Sequence, residues 1–207
     1  MGYFSPSRRG IIFIVASPSG AGKTTISRRA LKEIGGLTAS VSFTTRAPRE
    51  GEIDGVDYHF VNDGEFDRRL RAGEMAEWAR VFDSRYGTPR QPLDQAVASG
   101  GDILLDIDIQ GVRQLRAAYP ADSVTIFVLP PGFRELEERL RGRGTEDEPA
   151  IERRLHRARE EARAYPEYDY LIVNADIEES ISRLAAVVGA ERQRVTRLRE
   201  GFAPWQN

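Results

Sequence analysis

The 207-residue sequence contains no cysteine, which excludes disulfide bonds, thiolate zinc sites and cysteine nucleophiles. It has little lysine either, since only Lys23 and Lys32 stand among 30 basic residues. The net charge of −2 provides no basic field to recruit nucleic acid or an anionic membrane. No apolar run approaches the ~18 residues of a membrane span, and residues 1–9 have no long apolar segment. We therefore expect a cytoplasmic protein.

Apolar runs separated by helical patterns recur along most of the chain. Residues Ile11–Ala16 are all apolar, which is typical of a strand buried on both faces. Further strands are predicted at 102–107, 123–129 and 168–173, each preceded by a helical pattern. Such alternation favours a central parallel sheet with helices on both faces. The sequence therefore predicts the α/β fold class, in a single domain.

Two stretches, 37–90 and 141–156, interrupt this rhythm and are interpreted as insertions into the core. The first is predicted to contain a short strand at 41–45, a loop at 47–58, a helix at 63–72 with Asp63 as its N-cap, and a break at 84–89. At the other end of the chain, the last helix is predicted to run from 177 to 199.

A phosphate-binding loop is predicted directly after the first strand. Residues 17–24, Ser-Pro-Ser-Gly-Ala-Gly-Lys-Thr, match the P-loop pattern G-x-x-x-x-G-K-[ST] except that Ser17 replaces the first glycine. Small residues there let backbone N–H groups wrap a phosphate at a helix N-terminus. Lys23 is predicted to contact the β- and γ-phosphates, and the Thr24 hydroxyl to bind Mg²⁺. The predicted nucleotide-binding residues are Ser17, Pro18, Ser19, Gly20, Ala21, Gly22, Lys23, Thr24 and Thr25.

A P-loop site also needs an acidic residue at the tip of a neighbouring strand to help hold the metal. Asp106 lies near the end of the strand at 102–107 and fits this position, acting through water. Asp108 follows two residues later and points to the same side if the strand continues. Either aspartate could instead cap the next helix. We expect Mg²⁺ to be held by Thr24 and Asp106.

A P-loop alone is compatible with a kinase, a GTPase, a motor or a transporter subunit. A GTPase requires an Asn-Lys-x-Asp element to read guanine, and neither lysine stands in that context. Motors and transporter subunits are usually longer. A small-molecule kinase is therefore the favoured class.

Beyond the P-loop, short blocks follow one another in order along nearly the whole chain. They are residues 40–49 (Ser-Val-Ser-Phe-Thr-Thr-Arg-Ala-Pro-Arg), 51–52 (Gly-Glu), 55–60 (Gly-Val-Asp-Tyr-His-Phe), 77–78 (Glu-Trp), 86–88 (Tyr-Gly-Thr), 105–111 (Leu-Asp-Ile-Asp-Ile-Gln-Gly), 141–146 (Arg-Gly-Arg-Gly-Thr-Glu) and 168–174 (Tyr-Asp-Tyr-Leu-Ile-Val-Asn). In this order they resemble the guanylate kinases, which phosphorylate GMP to GDP with ATP.

The resemblance implies a fold, a reaction and a cofactor. The fold is a P-loop kinase with an inserted GMP-binding subdomain at about 37–90 and a mobile lid at about 141–156. The remaining core comprises residues 1–36, 91–140 and 157–207. The reaction transfers the γ-phosphoryl group of ATP to GMP, giving ADP and GDP, with Mg²⁺ accompanying ATP.

The resemblance also implies an acceptor site that chemistry can rationalise. Two arginines can fork onto the GMP phosphate, and two tyrosines can add hydroxyl donors. The N1–H and N2–H₂ donors of guanine call for a carboxylate, and O6 calls for a hydroxyl. The implied GMP-binding residues are Ser42, Arg46, Arg49, Tyr58, Glu77, Tyr86, Thr88 and Asp108. The family more often has serine where Thr88 stands, and the change keeps the hydroxyl.

Positive charge must also stabilise the phosphoryl group in transfer. The resemblance implies Lys23, Arg46, Arg143 and Arg154 as catalytic residues, with Arg139 and Arg141 as further candidates. The alternative for the arginines after residue 130 is a solvated helical face paired with glutamates. The attacking phosphate oxygen is already ionised near neutral pH, so no general base is needed and His59 and His156 are given no catalytic role.

Two other functions stay open at this point. A related kinase could phosphorylate a ribose bisphosphate derivative, which needs no guanine-reading carboxylate. A guanylate-kinase-like scaffold domain would bind partner peptides without catalysis, but such domains normally have damaged P-loops and sit in longer chains. The intact Lys23 and Thr24 therefore favour the enzyme.

Overall fold

The computed structural model describes residues 7–81, 83–142 and 147–199. Along the chain its helices and strands are β1 (Ile11–Ala16), α1 (Lys23–Glu33), β2 (Leu37–Ala39), β3 (Phe43–Thr44), β4 (His59–Phe60), α2 (Asp63–Arg71), β5 (Met75–Val81), β6 (Ser84–Pro89), α3 (Arg90–Ser99), β7 (Asp102–Asp106), α4 (Ile109–Ala118), β8 (Ser123–Leu129), α5 (Phe133–Arg141), α6 (Glu148–Ala162), β9 (Tyr170–Val173) and α7 (Ile177–Arg192).

The main sheet has five parallel strands in the order β2-β7-β1-β8-β9. Its central strand β1 is fully buried, and alternate residues point to opposite faces. Phe13 and Val15 pack with α1 and α7 in one apolar cluster. Ile12 and Ile14 pack with α3 and α4 in another. The predicted α/β fold with a central parallel sheet flanked by helices is confirmed.

A second sheet of four strands, β4-β3-β6-β5, lies in the inserted region together with α2. The break predicted at 84–89 is wrong, because Ser84–Pro89 is strand β6. It pairs antiparallel with β5 from Met75–Pro89 to Val81–Ser84. The hairpin pairing of β6 with β5 outweighs the local turn signals of Gly87 and Pro89.

Several boundaries also differ from the sequence expectation. The strand predicted at 41–45 is limited to Phe43–Thr44, and the preceding Leu37–Ala39 pairs with β7 in the main sheet. The second sheet therefore begins after residue 39 rather than at 37. Asn62, not Asp63, caps α2, since its side chain accepts the Glu65 N–H. The last helix ends at Arg192, before a short 3-10 turn at Val195–Arg197.

Strand order determines where the site lies. Because the core strands are parallel, their carboxyl ends meet at one edge of the sheet, next to the loop that links β1 to α1. β7 lies directly beside β1, with Val15 in register with Asp106. Within the ranges that the structure describes, no helix is both long enough and apolar enough to cross a bilayer.

Candidate active site

The loop between β1 and α1 has a backbone that requires glycine at two places. Gly20 and Gly22 have φ angles of +92° and +95°, in the left-handed region that side chains disfavour. A Cβ atom at Gly22 would also lie 2.6 Å from the Asn174 side-chain nitrogen. Gly22 is the second glycine of the P-loop pattern, whereas Gly20 occupies one of the free positions of the pattern and is favoured by the conformation of this loop.

Asn174 is a support of this loop that sequence reasoning missed. Its buried amide nitrogen donates to the Ala21 carbonyl at 2.8 Å, and its Oδ1 accepts the Ser180 hydroxyl at 3.0 Å. The Arg139 guanidinium donates to the same Ala21 carbonyl at 3.3 Å and to the Asn174 carbonyl at 2.8 Å. Arg139 therefore braces the loop backbone in this structure.

Lys23 and Asp106 meet at the carboxyl edge of the sheet. The Lys23 Nζ lies 2.6 Å from Asp106 Oδ1 and donates to the Ile107 carbonyl at 2.7 Å. Asp108 is the N-cap of α4, as one of its two predicted roles requires. Its Oδ1 accepts the Gly111 N–H at 2.8 Å. Its other oxygen, Oδ2, is buried and has no hydrogen-bond partner among the described residues.

Helix α6 faces the P-loop with a row of charged residues. Arg154 donates to the Ser19 hydroxyl from Nε at 3.1 Å and from Nη2 at 2.7 Å. Arg157 pairs with Glu161 at 2.6 Å, and Glu161 accepts the Ser19 N–H at 3.2 Å. Sequence reasoning missed Arg157 and Glu161, although their spacing of three and seven residues from Arg154 places them on one helix face.

The other two arginines predicted to act from the lid are Arg141 and Arg143. Arg143 lies outside the described residues, so its role stays a prediction. Arg141 pairs with Glu137 and Glu148 at the protein surface, which matches the solvated alternative. Unlike Arg139, Arg141 makes no hydrogen bond to the P-loop among the described residues.

The inserted region contains a group formed by one arginine and two tyrosines. Arg46 forms a two-oxygen ion pair with Glu52, at 2.8 and 2.9 Å. Its guanidinium lies 5.6 Å from the centre of the Tyr58 ring, and the Tyr58 and Tyr86 rings are 5.8 Å apart. Burial, and then the nearby charge of Asp106, raise the pKa of Tyr58. Tyr58 is therefore close enough to Asp106, the partner of Lys23, to be affected by its charge.

Glu52 organises both arginines of the predicted phosphate site. The hydrogen bond from Arg46 and the backbone N–H of Arg49, at 2.7 Å from Oε2, lower the pKa of Glu52. The Arg49 side chain is exposed, so it can reach an anion in solution. Ser42 lies just before β3, where its carbonyl accepts the His59 N–H at 2.9 Å.

Glu77 and Thr88 form a buried pair on neighbouring strands β5 and β6. The Thr88 hydroxyl donates to Glu77 Oε1 at 2.5 Å, and Glu77 is only 5% exposed. Burial raises the pKa of Glu77 to about 7, opposed by the Thr88 hydrogen bond and reinforced by the charge of Asp108. Because the Thr88 proton is already directed at Glu77, its hydroxyl can only accept a further hydrogen bond.

The P-loop, α6 and α4 enclose a cleft of about 280 Å³. Its lining residues are Ser17, Pro18, Ser19, Gly20, Gly22, Lys23, Thr24, Thr25, Val81, Asp108, Ile109, Arg154, Arg157 and Glu161. The cleft therefore contains most of the predicted nucleotide-binding residues. It also brings Asp108 into the same space as the P-loop.

A parallel α/β sheet with this loop between its central strand and the next helix defines the class of P-loop proteins. A family model described as guanylate kinase matches residues 8–191. The chain belongs to the guanylate kinase family.

Individual relatives agree with this assignment. A guanylate kinase from Paramagnetospirillum magneticum is 50% identical over 186 residues, which cover 90% of this chain and 87% of the relative. One from Zymomonas mobilis is 47% identical over 189 residues, covering 91% and 88%. The crystal structure of guanylate kinase from Anaplasma phagocytophilum is similar with a TM-score of 0.79 and 36% identity, covering 93% of this chain and 92% of that one.

Proposed function

We propose that this protein transfers the γ-phosphoryl group of ATP to GMP, giving ADP and GDP. The observation that carries this proposal is the pair of carboxylates on Glu77 and Asp108. Each is at least partly buried, and Asp108 Oδ2 has no hydrogen-bond partner among the described residues. Buried acceptors of this kind need donors, and the guanine edge offers N1–H and N2–H₂ together.

The acceptor phosphate is assigned to the cationic end of the inserted region. Arg46 and Arg49 supply guanidinium donors, and Tyr58 and Tyr86 supply hydroxyls. Glu52 holds Arg46 in one orientation, which reduces the entropy lost when the phosphate binds. Asp106, whose charge affects Tyr58, also pairs with Lys23 of the P-loop, which supports an acceptor phosphate close to the donor triphosphate.

The donor triphosphate is assigned to the P-loop, with Lys23 and the lid arginines Arg143 and Arg154 stabilising the transferred group. The acceptor phosphate oxygen attacks without a general base, so catalysis consists of positioning and electrostatic stabilisation. We assign the acceptor-binding subdomain to residues 40–90 and the lid to 141–156. A cytoplasmic location agrees with both substrates being free nucleotides.

The residues at the tip of β7 and the start of α1 fit a magnesium ion. Among the described residues no group of three or more acidic or histidine side chains could hold a metal unaided. Mg²⁺ is usually bound by one or two carboxylates together with substrate phosphates, and here the Thr24 hydroxyl and Asp106 would hold it. When bound, the ion neutralises charge on the β- and γ-phosphates.

A coupled assay of ADP formation with ATP and, in turn, GMP, AMP, CMP and UMP tests the proposal. We expect turnover with GMP well above that with the other three. A ribose bisphosphate is assayed as a fifth acceptor, and turnover with it alone would identify the related kinase class instead. A lack of turnover on every acceptor, with a peptide partner found, would favour the scaffold class.

Arg46→Ala is expected to raise the KM for GMP by about 30-fold, because a charge-assisted contact to the phosphate contributes roughly 2 kcal/mol. The KM for ATP should change much less, and steady-state kinetics with each substrate varied will measure both. Arg134→Ala removes an exposed arginine on α5 and should leave both values unchanged. Equal increases for the two substrates in Arg46→Ala would argue against a role in acceptor binding.

Acceptor binding should weaken as pH falls through about 7. The raised pKa of Glu77 means that its carboxylate gains a proton in this range, and the neutral acid accepts guanine donors less well. The phosphate of GMP also titrates near pH 6, so guanosine binding, measured by calorimetry between pH 5.5 and 8, isolates the base-reading group. Unchanged guanosine affinity across this range would show that Glu77 does not read the base as a carboxylate.

A further inference from the structure

Helix α4 contacts strand β5 through a side-chain amide that bonds both backbone groups of one strand residue. The Gln114 amide nitrogen donates to the Trp78 carbonyl at 2.7 Å, and the Trp78 N–H donates to Gln114 Oε1 at 3.2 Å. These two bonds occupy the backbone of the residue that directly follows Glu77. Gln114 therefore fixes β5 against the core helix beside the acceptor-reading carboxylate.

Gly111 lies one turn earlier on the same face of α4. Its N–H donates to Asp108 Oδ1 at 2.8 Å. A Cβ atom at this position would lie 2.5 Å from Glu77 Oε2 and 3.0 Å from Glu77 Cδ. Both acceptor-reading carboxylates therefore come together at Gly111.

The glycine at 111 is not explained by backbone conformation. Gly111 is not among the glycines with positive φ, and a glycine inside a helix is less favourable than alanine. The close approach of the Glu77 carboxylate is the constraint that a side chain here would violate.

We infer that Gly111 and Gln114 are positioning residues that hold the Glu77 carboxylate beside Asp108 and so determine how strongly the acceptor base is bound. The inference rests on the proposed function, because it assigns the base to these two carboxylates. Gly111 acts by leaving room, and Gln114 acts by fixing the strand that carries Glu77.

Gly111→Ala tests the first part. The added Cβ must displace the Glu77 carboxylate, so we expect the KM for GMP to rise about tenfold while the KM for ATP stays within twofold. Alanine favours the helix by about 1 kcal/mol, but the overlap with Glu77 opposes this gain, so the melting temperature is measured alongside to separate weaker GMP binding from a loss of stability. Gly189→Ala in α7 is the matched control, because a Cβ there meets nothing within 4 Å and should leave GMP binding unchanged.

A double substitution shows whether the effect passes through Glu77. Glu77→Asp shortens the side chain and withdraws the carboxylate from position 111. With Asp at 77, adding Gly111→Ala should therefore raise the KM for GMP less than twofold further. A full tenfold increase in both backgrounds, or no increase in the single Gly111→Ala variant, would overturn the inference.

Gln114→Leu tests the second part, with Gln95→Leu on the exposed face of α3 as its control. We expect a rise of about fivefold in the KM for GMP at constant KM for ATP. An equal KM for GMP in Gln114→Leu and Gln95→Leu would overturn the positioning role of Gln114.

The titration of Glu77 can be measured without any substrate, so it tests the positioning role independently of the proposed function. Carbon-13 NMR of the glutamate carboxyls should show Glu77 titrating near pH 7 in the wild type and closer to the ordinary glutamate range in Gly111→Ala. If the wild type fails to phosphorylate GMP, the proposed function is wrong, and this titration alone decides the positioning role. Identical Glu77 titrations in the two proteins would overturn it.

Discussion

Lys23→Ala is expected to lower kcat by about 10³-fold, or roughly 4 kcal/mol of transition-state stabilisation. The ammonium group of Lys23 lies at the carboxyl edge of the sheet, 2.6 Å from Asp106, where the γ-phosphate of a bound triphosphate would be transferred. Positive charge at this position stabilises the charge that spreads over the phosphoryl oxygens during transfer. Single-turnover kinetics with saturating ATP and GMP will measure the loss directly.

The chain offers a matched control, because Lys32 is its only other lysine and is exposed on α1. Lys32→Ala should retain wild-type kcat. Removing Lys23 leaves Asp106 partly exposed to water, so a loss of stability above about 1 kcal/mol is not expected. A kcat for Lys23→Ala within tenfold of wild type, in a protein with unchanged melting temperature, would contradict the catalytic role.

The sequence determines the core strands because their apolar runs are continuous. Residues Ile11–Ala16 and Ser123–Leu129 were predicted with the bounds that the structure has. Strand β6 was missed because Gly87 and Pro89 are typical of turns, although pairing with β5 in a hairpin makes this segment a strand. Local turn residues are read from the sequence, whereas strand pairing is a property of the folded chain.

The residues of the candidate site also divide into those that the sequence predicts and those that only the fold reveals. Gly22 and Lys23 could be predicted, because a phosphate loop needs these residues at fixed spacing. Asn174 and Glu52 could not be assigned from pattern alone, since each acts on a P-loop or acceptor residue that is close only in the fold. The sequence left open whether Asp108 caps the next helix or belongs to the site. In the structure its Oδ1 caps α4, and its Oδ2 has no hydrogen-bond partner among the described residues, so that it is available to a ligand.

Glu77→Gln is expected to lower kcat/KM for GMP by about 10²-fold, or roughly 3 kcal/mol, although it preserves the shape of the side chain. The amide replaces one carboxylate oxygen by an NH₂ group, which opposes the donors on the guanine edge instead of accepting from them. Discrimination between GMP and AMP should shrink correspondingly. The exposed Glu50→Gln is the control and should change neither quantity.

The same substitution should stabilise the fold at alkaline pH. A folded-state pKa of about 7 against an ordinary 4.5 means that ionised Glu77 costs the native state on the order of 3 kcal/mol. This cost is absent below pH 4.5, grows between pH 4.5 and 7, and is complete above pH 7. Glu77→Gln should therefore raise the melting temperature more at pH 8 than at pH 5.

The kcat/KM for GMP and the melting temperature of Glu77→Gln together show whether Glu77 serves acceptor binding or folding. A protein that is more stable at pH 8 yet binds GMP less well would show that the buried charge of Glu77 is retained for reading the acceptor. Wild-type kcat/KM for GMP in Glu77→Gln would instead mean that the base is not read at this carboxylate, which favours a ribose bisphosphate acceptor. Equal melting temperatures at pH 8 would show that Glu77 is not buried as a charge, and the pH dependence proposed for guanosine would then fail with it.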